Sequence, residues 1–273
     1  MGDSKFRIGV VAPASRIEPA LAERVTALAA SLYTGRVEIA FHPQCFMSHG
    51  HFAGTDSARA EAFLEFANDA AFDAVWPARG GYGSNRILPQ AMAGLNGAAR
   101  EKLYLGYSDA GFLLGALYRE GCAVAHGPIP ADLTREGGEA AVTRALRYLV
   151  ERAPDTLEPH VQRPCAAFNL TILSHLIGTP YMPDLSGHVL MVEDVAEHHY
   201  RIDRALFHVT SVPHMRALAG LRLGRFSAIP ENDPPFLQSE DEIARHWCAV
   251  SGIPWLGRAD IGHDADNMIV PFG

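Results

Sequence analysis

The apolar positions change period along the chain, and each change predicts an element. Arg7–Ala12 is a β-branched, apolar run, the pattern of a buried strand. From Pro19 to Tyr33, Leu21, Val25, Leu28 and Leu32 fall at helical spacing. Val37–His42 alternates as a strand does, and Ala58–Phe66 is helical with Thr55 or Asp56 as its N-cap. Ala74–Ala78 and Leu103–Gly106 are short apolar strands. Each leads through a glycine-containing turn into a helical pattern, Ser84–Met92 and Ala110–Tyr118, and Ala123–His126 adds one more strand. A repeating β–α order predicts an α/β fold, with a parallel sheet covered by helices on both faces. Ligands of such sheets gather at the carboxyl ends of the strands, where Gly80-Gly81-Tyr82-Gly83 and Ser108 both fall.

After about residue 130 the pattern is mixed. Glu139–Arg152 is an amphipathic helix through Val142, Leu146, Leu149 and Val150. Ala153–Pro164 holds three prolines, mixed charges and no periodicity, and is read as a crossing between domains. The predicted division is therefore residues 1–152, a linker at 153–164, and residues 165–273. In the second part Leu170–Leu176 and Tyr200–Ser211 read as helices, and His188–Val192 and Gly224–Ile229 as strands. Ser239-Glu-Asp-Glu242 is a capping box opening a helix through Val250. Trp255–Gly257 and Met268–Val270 are short extended pieces.

Composition narrows the function classes. The 273 residues carry a net charge of −8 and no Lys/Arg-rich stretch, which argues against a nucleic-acid partner. The four cysteines, Cys45, Cys122, Cys165 and Cys248, are dispersed without a C-x-x-C, so neither a zinc site nor a disulfide framework is predicted. No window reaches the ~18 apolar residues of a membrane span, and the apolar run at Ile8 is too short for a signal-peptide core. Phe6 stands where a myristoylation signal needs Ser or Thr, so Gly2 carries no such signal. Together these predict a cytoplasmic protein with no membrane partner.

The most informative segment is Leu105-Gly106-Tyr107-Ser108-Asp109-Ala110, a strand that turns sharply into a helix. That shape is a nucleophile elbow. It exposes the turn side chain and aims the first helical N–H groups at whatever that side chain attacks. A serine hydroxyl needs a base to take its proton. Of thirteen histidines, His263 stands out, in the glycine-bounded loop Gly262-His263-Asp264, from which it can reach across a domain boundary. Glu193 ends the apolar strand Val189–Val192, where burying an acid is costly unless it is paired, and a base needs an orienting carboxylate. Taken singly, each has a plainer reading: a helix-capping serine, a core histidine and a solvated strand end.

Several separated motifs resemble the LD-carboxypeptidase family of serine peptidases, which includes muramoyltetrapeptide carboxypeptidases and microcin-immunity peptidases. They are Ala78-Arg-Gly-Gly-Tyr-Gly83 with Arg86, Gly106-Tyr-Ser-Asp109, His126-Gly-Pro128, Ile177-Gly-Thr-Pro180, Val192-Glu-Asp194 with Glu197 and Tyr200-Arg-Ile-Asp-Arg204, and Gly262-His263 followed by Val270-Pro-Phe-Gly273. The resemblance covers nearly the whole chain. It implies a nucleotide-binding-like α/β domain joined to a smaller, strand-rich α+β domain, a site between them, and a homodimer. It further implies a Ser108–Glu193–His263 triad, with Asp194 and Glu197 as near competitors for the carboxylate. The reaction it implies cuts the amide between an L-centre and a terminal D-alanine of murein tetrapeptide, with no metal or cofactor required.

On that reading the oxyanion donors are the backbone N–H groups of Asp109 and, through the close approach that a glycine-rich turn allows, Gly81. Arg79, Arg86, Arg201 and Arg204 are candidate cations for the substrate carboxylate, and the sequence does not choose among them. Arg201 and Arg204 have a structural alternative in Asp194, Glu197 or Asp203 of their own segment. Tyr82, Phe168 and Asn169 complete the substrate-binding candidates. Ala167-Phe168-Asn169-Leu170 departs from the family's usual Gly-Gly-Asn-Leu, so Phe168 is expected to fill space near the cleft. Ala110-Gly111 departs from the usual apolar–Thr pair, and the chain stops at Gly273 where many members continue, so a terminal strand is expected to be absent. Two alternatives stand beside this reading. One is an immunity-type peptidase that cleaves a peptidyl-nucleotide or similar amide, which the lack of a long insertion disfavours. The other is an inactive α/β protein that binds an anion at Gly80–Gly83.

Overall fold

A computed structural model describes residues 5–161 and 164–273. The N-terminal tetrapeptide with Gly2, and Gln162 and Arg163 of the expected linker, lie outside the described residues. Strands β1 (Phe6–Val11), β2 (Val37–Phe41), β3 (Ala74–Pro77), β4 (Leu103–Gly106) and β5 (Ala123–His126) alternate with helices α1 (Pro19–Leu32), α2 (Asp56–Asn68), α3 (Ser84–Ala93) and α4 (Gly111–Arg119). Helix α5 (Gly138–Glu151) follows. Then come β6 (Cys165–Asn169), α6 (Leu170–Leu176), β7 (Val189–Val195), α7 (His199–Ser211), β8 (Gly220–Ser227), α8 (Glu240–Ser251), β9 (Trp255–Arg258) and β10 (Val270–Pro271).

The first sheet has the order β10-β5-β4-β3-β1-β2. Its strands β1–β5 are parallel, and only β10 runs antiparallel, against β5. The second sheet, β6-β7-β8-β9, is parallel throughout. The expected two-part α/β architecture with a large and a smaller sheet is therefore present, and helices alternate with strands in the smaller part as well. Strands such as Ala74–Pro77 and Leu103–Gly106 are buried at every residue, as strands covered on both faces must be. The chain's last residues join the two sheets: the Phe272 N–H donates to the Val124 carbonyl and the Gly273 N–H to the Cys165 carbonyl, each at 3.0 Å.

Two strands differ from the periodicity. Cys165–Asn169 gives no strand signal, because Cys-Ala-Ala-Phe lacks β-branched residues; pairing with β7 along its whole length makes it β6. Strand β8 begins at Gly220, four residues before the predicted start. Arg222 broke the apolar pattern there, but its guanidinium is buried in a two-bond grip on Glu158, at 2.7 and 2.8 Å. Thr55, rather than Asp56, caps α2, accepting from the Ala58 N–H at 3.2 Å. The predicted capping box of Ser239 and Glu242 opens α8.

Candidate active site

In the first sheet the strand order switches side between β1 and β3, and the crevice at such a switch point lies beyond the carboxyl ends of the strands. A cleft of about 530 Å³ opens there. Its floor and walls come from Arg79-Gly80-Gly81 after β3, Tyr107-Ser108 after β4, and Ile129 to Arg135 after β5. His263 and Val195 close it from the second half of the chain.

Ser108 sits where the elbow argument requires. Tyr107 is extended and Ser108 is left-handed, with φ +59°, before a short turn feeds α4. A left-handed residue other than glycine is strained, and such strain is held only where the surroundings over-determine it. Asp109 supplies that restraint. Its buried carboxylate accepts from the Gly83 N–H at 3.3 Å and the Ser84 N–H at 2.8 Å, and the Ser84 hydroxyl donates to its carbonyl. These bonds tie the elbow to the glycine-rich turn. A β-carbon on Gly80 would lie 2.8 Å from Ser108 Oγ, so only glycine fits there. Gly81 is held at φ +110°.

Glu193 is fully buried on β7 and meets His263 Nδ1 through Oε2 at 2.5 Å. The ladder explains how. Between the pairs Val192↔Leu223 and Asp194↔Phe226, Glu193 of β7 faces two residues of β8, Gly224 and Arg225. Such a bulge re-aims the side chain beside it. Gly224 must be glycine, since a β-carbon there would come within 2.6 Å of Ile261 and 2.9 Å of Glu193 Cβ. Burial pushes the Glu193 carboxyl above its ordinary range, and the nearby His263 pulls it back down. Burial also works against the His263 imidazolium, but the Glu193 charge and hydrogen bond outweigh it, so His263 titrates above its ordinary value.

The loop carrying His263 is gripped from several sides. Arg135 donates to the His263 carbonyl, and Arg144 donates to the carbonyls of Ala265 and Asn267. Arg225 holds Asp264 at 2.5 and 2.8 Å. Asn267 Oδ1 accepts from the Gly262 N–H at 3.1 Å and bonds His126 Nε2 at 3.2 Å. Tyr107 packs its ring 4.8 Å from that of His263 and donates its hydroxyl to Asp132 at 2.7 Å. Arg135, Asp132 and Asn267 were not singled out from the sequence, and His126 only as part of a family motif. That motif, His126-Gly-Pro128, was the one sequence signal of this cluster.

The remaining candidates separate clearly. Asp194 is spent on α6, accepting from Asn169 Nδ2 and from the Thr171 N–H and hydroxyl. Glu197 faces Arg201 at 3.5 Å. Glu193 is thus the acid beside His263. Asn169 is a buried N-cap of α6, accepting from the Ile172 N–H. Arg86 is paired with Asp56 through three hydrogen bonds of 2.7–3.1 Å. Arg201 and Arg204 border a separate hollow with His175 and His208, away from Ser108. Tyr82 is half exposed and packs with the rings of His51 and Phe52. Among the described residues no group of three or more His, Cys, Asp or Glu side chains is arranged to hold a metal ion.

Phe168 corrects an expectation. It does not border the cleft but is buried in the core, its ring 5.1 Å from that of Phe272. Helix α4 packs against it: β-carbons on Gly111 and Gly115 would stand at ordinary contact distance, 3.5 Å, from the Phe168 ring, and the close approaches these glycines allow are to Ile172 and Leu176 of α6. The two departures from the family pattern, Phe168 and Gly111, meet face to face.

The chain matches the LD-carboxypeptidase N-terminal domain over residues 8–127 and the LD-carboxypeptidase C-terminal domain over residues 165–273. It is 30% identical to the murein tetrapeptide carboxypeptidase of Pseudomonas aeruginosa, over 98% of this chain and 91% of that protein. The crystal structure of muramoyltetrapeptide carboxypeptidase from Oxalobacter formigenes superposes with a TM-score of 0.83 at 25% identity, covering 98% of this chain and 93% of that one. The microcin C7 self-immunity protein shares the fold, with a TM-score of 0.78 at 16% identity over 100% of this chain and 92% of that one. The chain belongs to the LD-carboxypeptidase family of serine peptidases, and it is a carboxypeptidase.

Proposed function

We propose that this protein hydrolyses the amide between an L-centre and the terminal D-alanine of murein tetrapeptide, using Ser108, His263 and Glu193. The observation that carries this is the Glu193–His263 bond of 2.5 Å at the rim of the cleft that also contains Ser108. With Nδ1 engaged by Glu193, the imidazole presents Nε2 as the free base. His263 takes the Ser108 proton as Oγ attacks the carbonyl carbon. The oxyanion receives the N–H groups of Asp109 and Gly81, each worth about 3–4 kcal/mol in the transition state. The tetrahedral adduct collapses as His263 protonates the departing amine of D-alanine. Water, deprotonated by His263, then splits the acyl-enzyme and restores Ser108. Glu193 stays ionised throughout and stabilises the imidazolium.

The cytoplasm is the compartment this reading assigns, and the four dispersed, buried cysteines fit a reducing one. A homodimer is the working unit that the family resemblance implies. The test is D-alanine release from murein tetrapeptide by the protein and by Ser108→Ala. Release that disappears in the variant supports the reading. Labelling of Ser108 by a fluorophosphonate without any D-alanine release would keep the nucleophile and discard the substrate.

A further inference from the structure

The cleft holds two cations, Arg79 and Arg135. Arg135 is committed: its Nε binds Asp132 at 3.0 Å and its Nη1 donates to the His263 carbonyl. The acids of the cleft are committed too. Asp132 takes Arg135, the Tyr107 hydroxyl and the Ile129 N–H, while Glu18 pairs with Arg16 at 2.9 Å. Arg79 differs. It is exposed at the cleft, and among the described residues its guanidinium has no hydrogen bond or ion pair.

Its position is nonetheless firm. Ala78 is pinned on both sides, its N–H on the Val11 carbonyl at 2.7 Å and its carbonyl on the Ala131 N–H at 3.0 Å. Arg79 therefore leaves the end of β3 at a fixed place, directly before Gly80, which abuts Ser108. A chain of net charge −8 has set an unpartnered guanidinium in the same cleft as its candidate nucleophile. Two parallel N–H donors in a planar fork match a carboxylate.

The geometry points to Arg79 as the residue that binds the free carboxylate of the substrate's last amino acid, and so makes this site an exopeptidase site. The inference rests on the serine-hydrolase reading above and deepens it. The carboxylate of a terminal residue lies two bonds beyond the scissile nitrogen, so a cation next to the glycine turn can hold it while Ser108 attacks. The apolar side chains of Ile17, Leu21 and Ile129 line the same cleft and leave Arg79 as its uncommitted polar anchor. Arg86, Arg201 and Arg204 are excluded from this role, the first by Asp56 and the others by their place in a different hollow.

The experiment compares the protein with Arg79→Gln and Arg79→Lys on two peptides, one ending in D-alanine and the other in D-alanine amide. The wild type is expected to prefer the acid. Arg79→Gln is expected to lose about a hundredfold in kcat/KM on the acid and little on the amide, since a hydrogen bond to a charged group carries that order of effect. Arg79→Lys should recover part of the loss by charge without the fork. An unchanged acid preference in Arg79→Gln, or an equal loss on both peptides, overturns the proposal. A second readout is independent of hydrolysis: free D-alanine should slow fluorophosphonate labelling of Ser108 in the wild type but not in Arg79→Gln, and D-alanine amide should slow neither. Protection with no peptide cleavage would reject the murein substrate and keep the role of Arg79. No protection by D-alanine in a wild type that labels normally would reject that role.

Discussion

Glu193 and His263 are 70 positions apart in the chain and 2.5 Å apart in the fold. Neither reaches the other by local geometry. The bulge opposite Glu193 turns its carboxylate, and the gripped loop from Gly262 to Asn267 brings the imidazole to meet it.

That contact sets the pH response. On the proposed mechanism His263 acts unprotonated, and Glu193 raises its pKa above the ordinary 6.5. Hydrolysis should therefore rise with pH through a value above that of free histidine. Glu193→Gln removes the charge that raises the pKa, so the acid limb should move to lower pH. The same change should reduce kcat by about 10³–10⁴, because an amide cannot fix the productive tautomer. A pH–rate series on both proteins checks this. An unmoved limb would dismiss Glu193 as the partner of the base.

Gly80→Ala should cripple hydrolysis without unfolding the protein. The new methyl would stand 2.8 Å from Ser108 Oγ and 2.9 Å from its Cβ, so the serine must shift. A displacement of about 1 Å at a reacting atom costs on the order of 10²-fold. Circular dichroism and fluorophosphonate labelling rates on the variant separate a moved serine from a lost fold.

Phe168→Ala should weaken the protein rather than enlarge its cleft. The ring is buried between Phe272 and the bare backbones of Gly111 and Gly115. Truncating such a residue costs about 3–5 kcal/mol. Urea unfolding should show that loss, while KM for peptide substrates stays near the wild-type value. A lowered stability accompanied by a large KM change would place the ring nearer the substrate than the fold does.

His126 should make the fold acid-sensitive. Burial is the main cause that lowers its pKa from 6.5 to about 3, so it is neutral in the native protein. Between those values the unfolded chain binds the proton and the folded one does not. Its contribution is constant above about pH 6.5 and falls by roughly 1.4 kcal/mol per pH unit below it. Comparing urea midpoints at pH 7 and pH 5 for the wild type and His126→Gln tests the sign. The variant should lose less on acidification, and an equal loss would discount His126.

Much of the outer frame was legible along the chain. The alternation of short apolar strands with amphipathic helices from Arg7 to His126 corresponds closely to β1–β5 and α1–α4. The elbow at Ser108 was readable because a strand, a glycine and a helix in immediate succession leave the backbone few routes. Strand β6 was not readable, because four of its five residues carry no strand preference and its partner lies some twenty residues on. The placing of Phe168 was misread for a related reason. A large side chain in a family's glycine position looks like an obstruction until its packing against α4 and Phe272 in the core is known.

By itself the sequence determined the periodicities, the caps, the turn at Ser108 and the family pattern, all properties of neighbouring residues. Only the tertiary structure decided which acid meets His263, which arginines are spent on Asp56, Asp132 and Glu197, and which one, Arg79, is left facing the cleft. A charge's role depends on its partner. Partners here come from strands and loops tens of residues apart, brought together by sheet register and packing that no local pattern encodes.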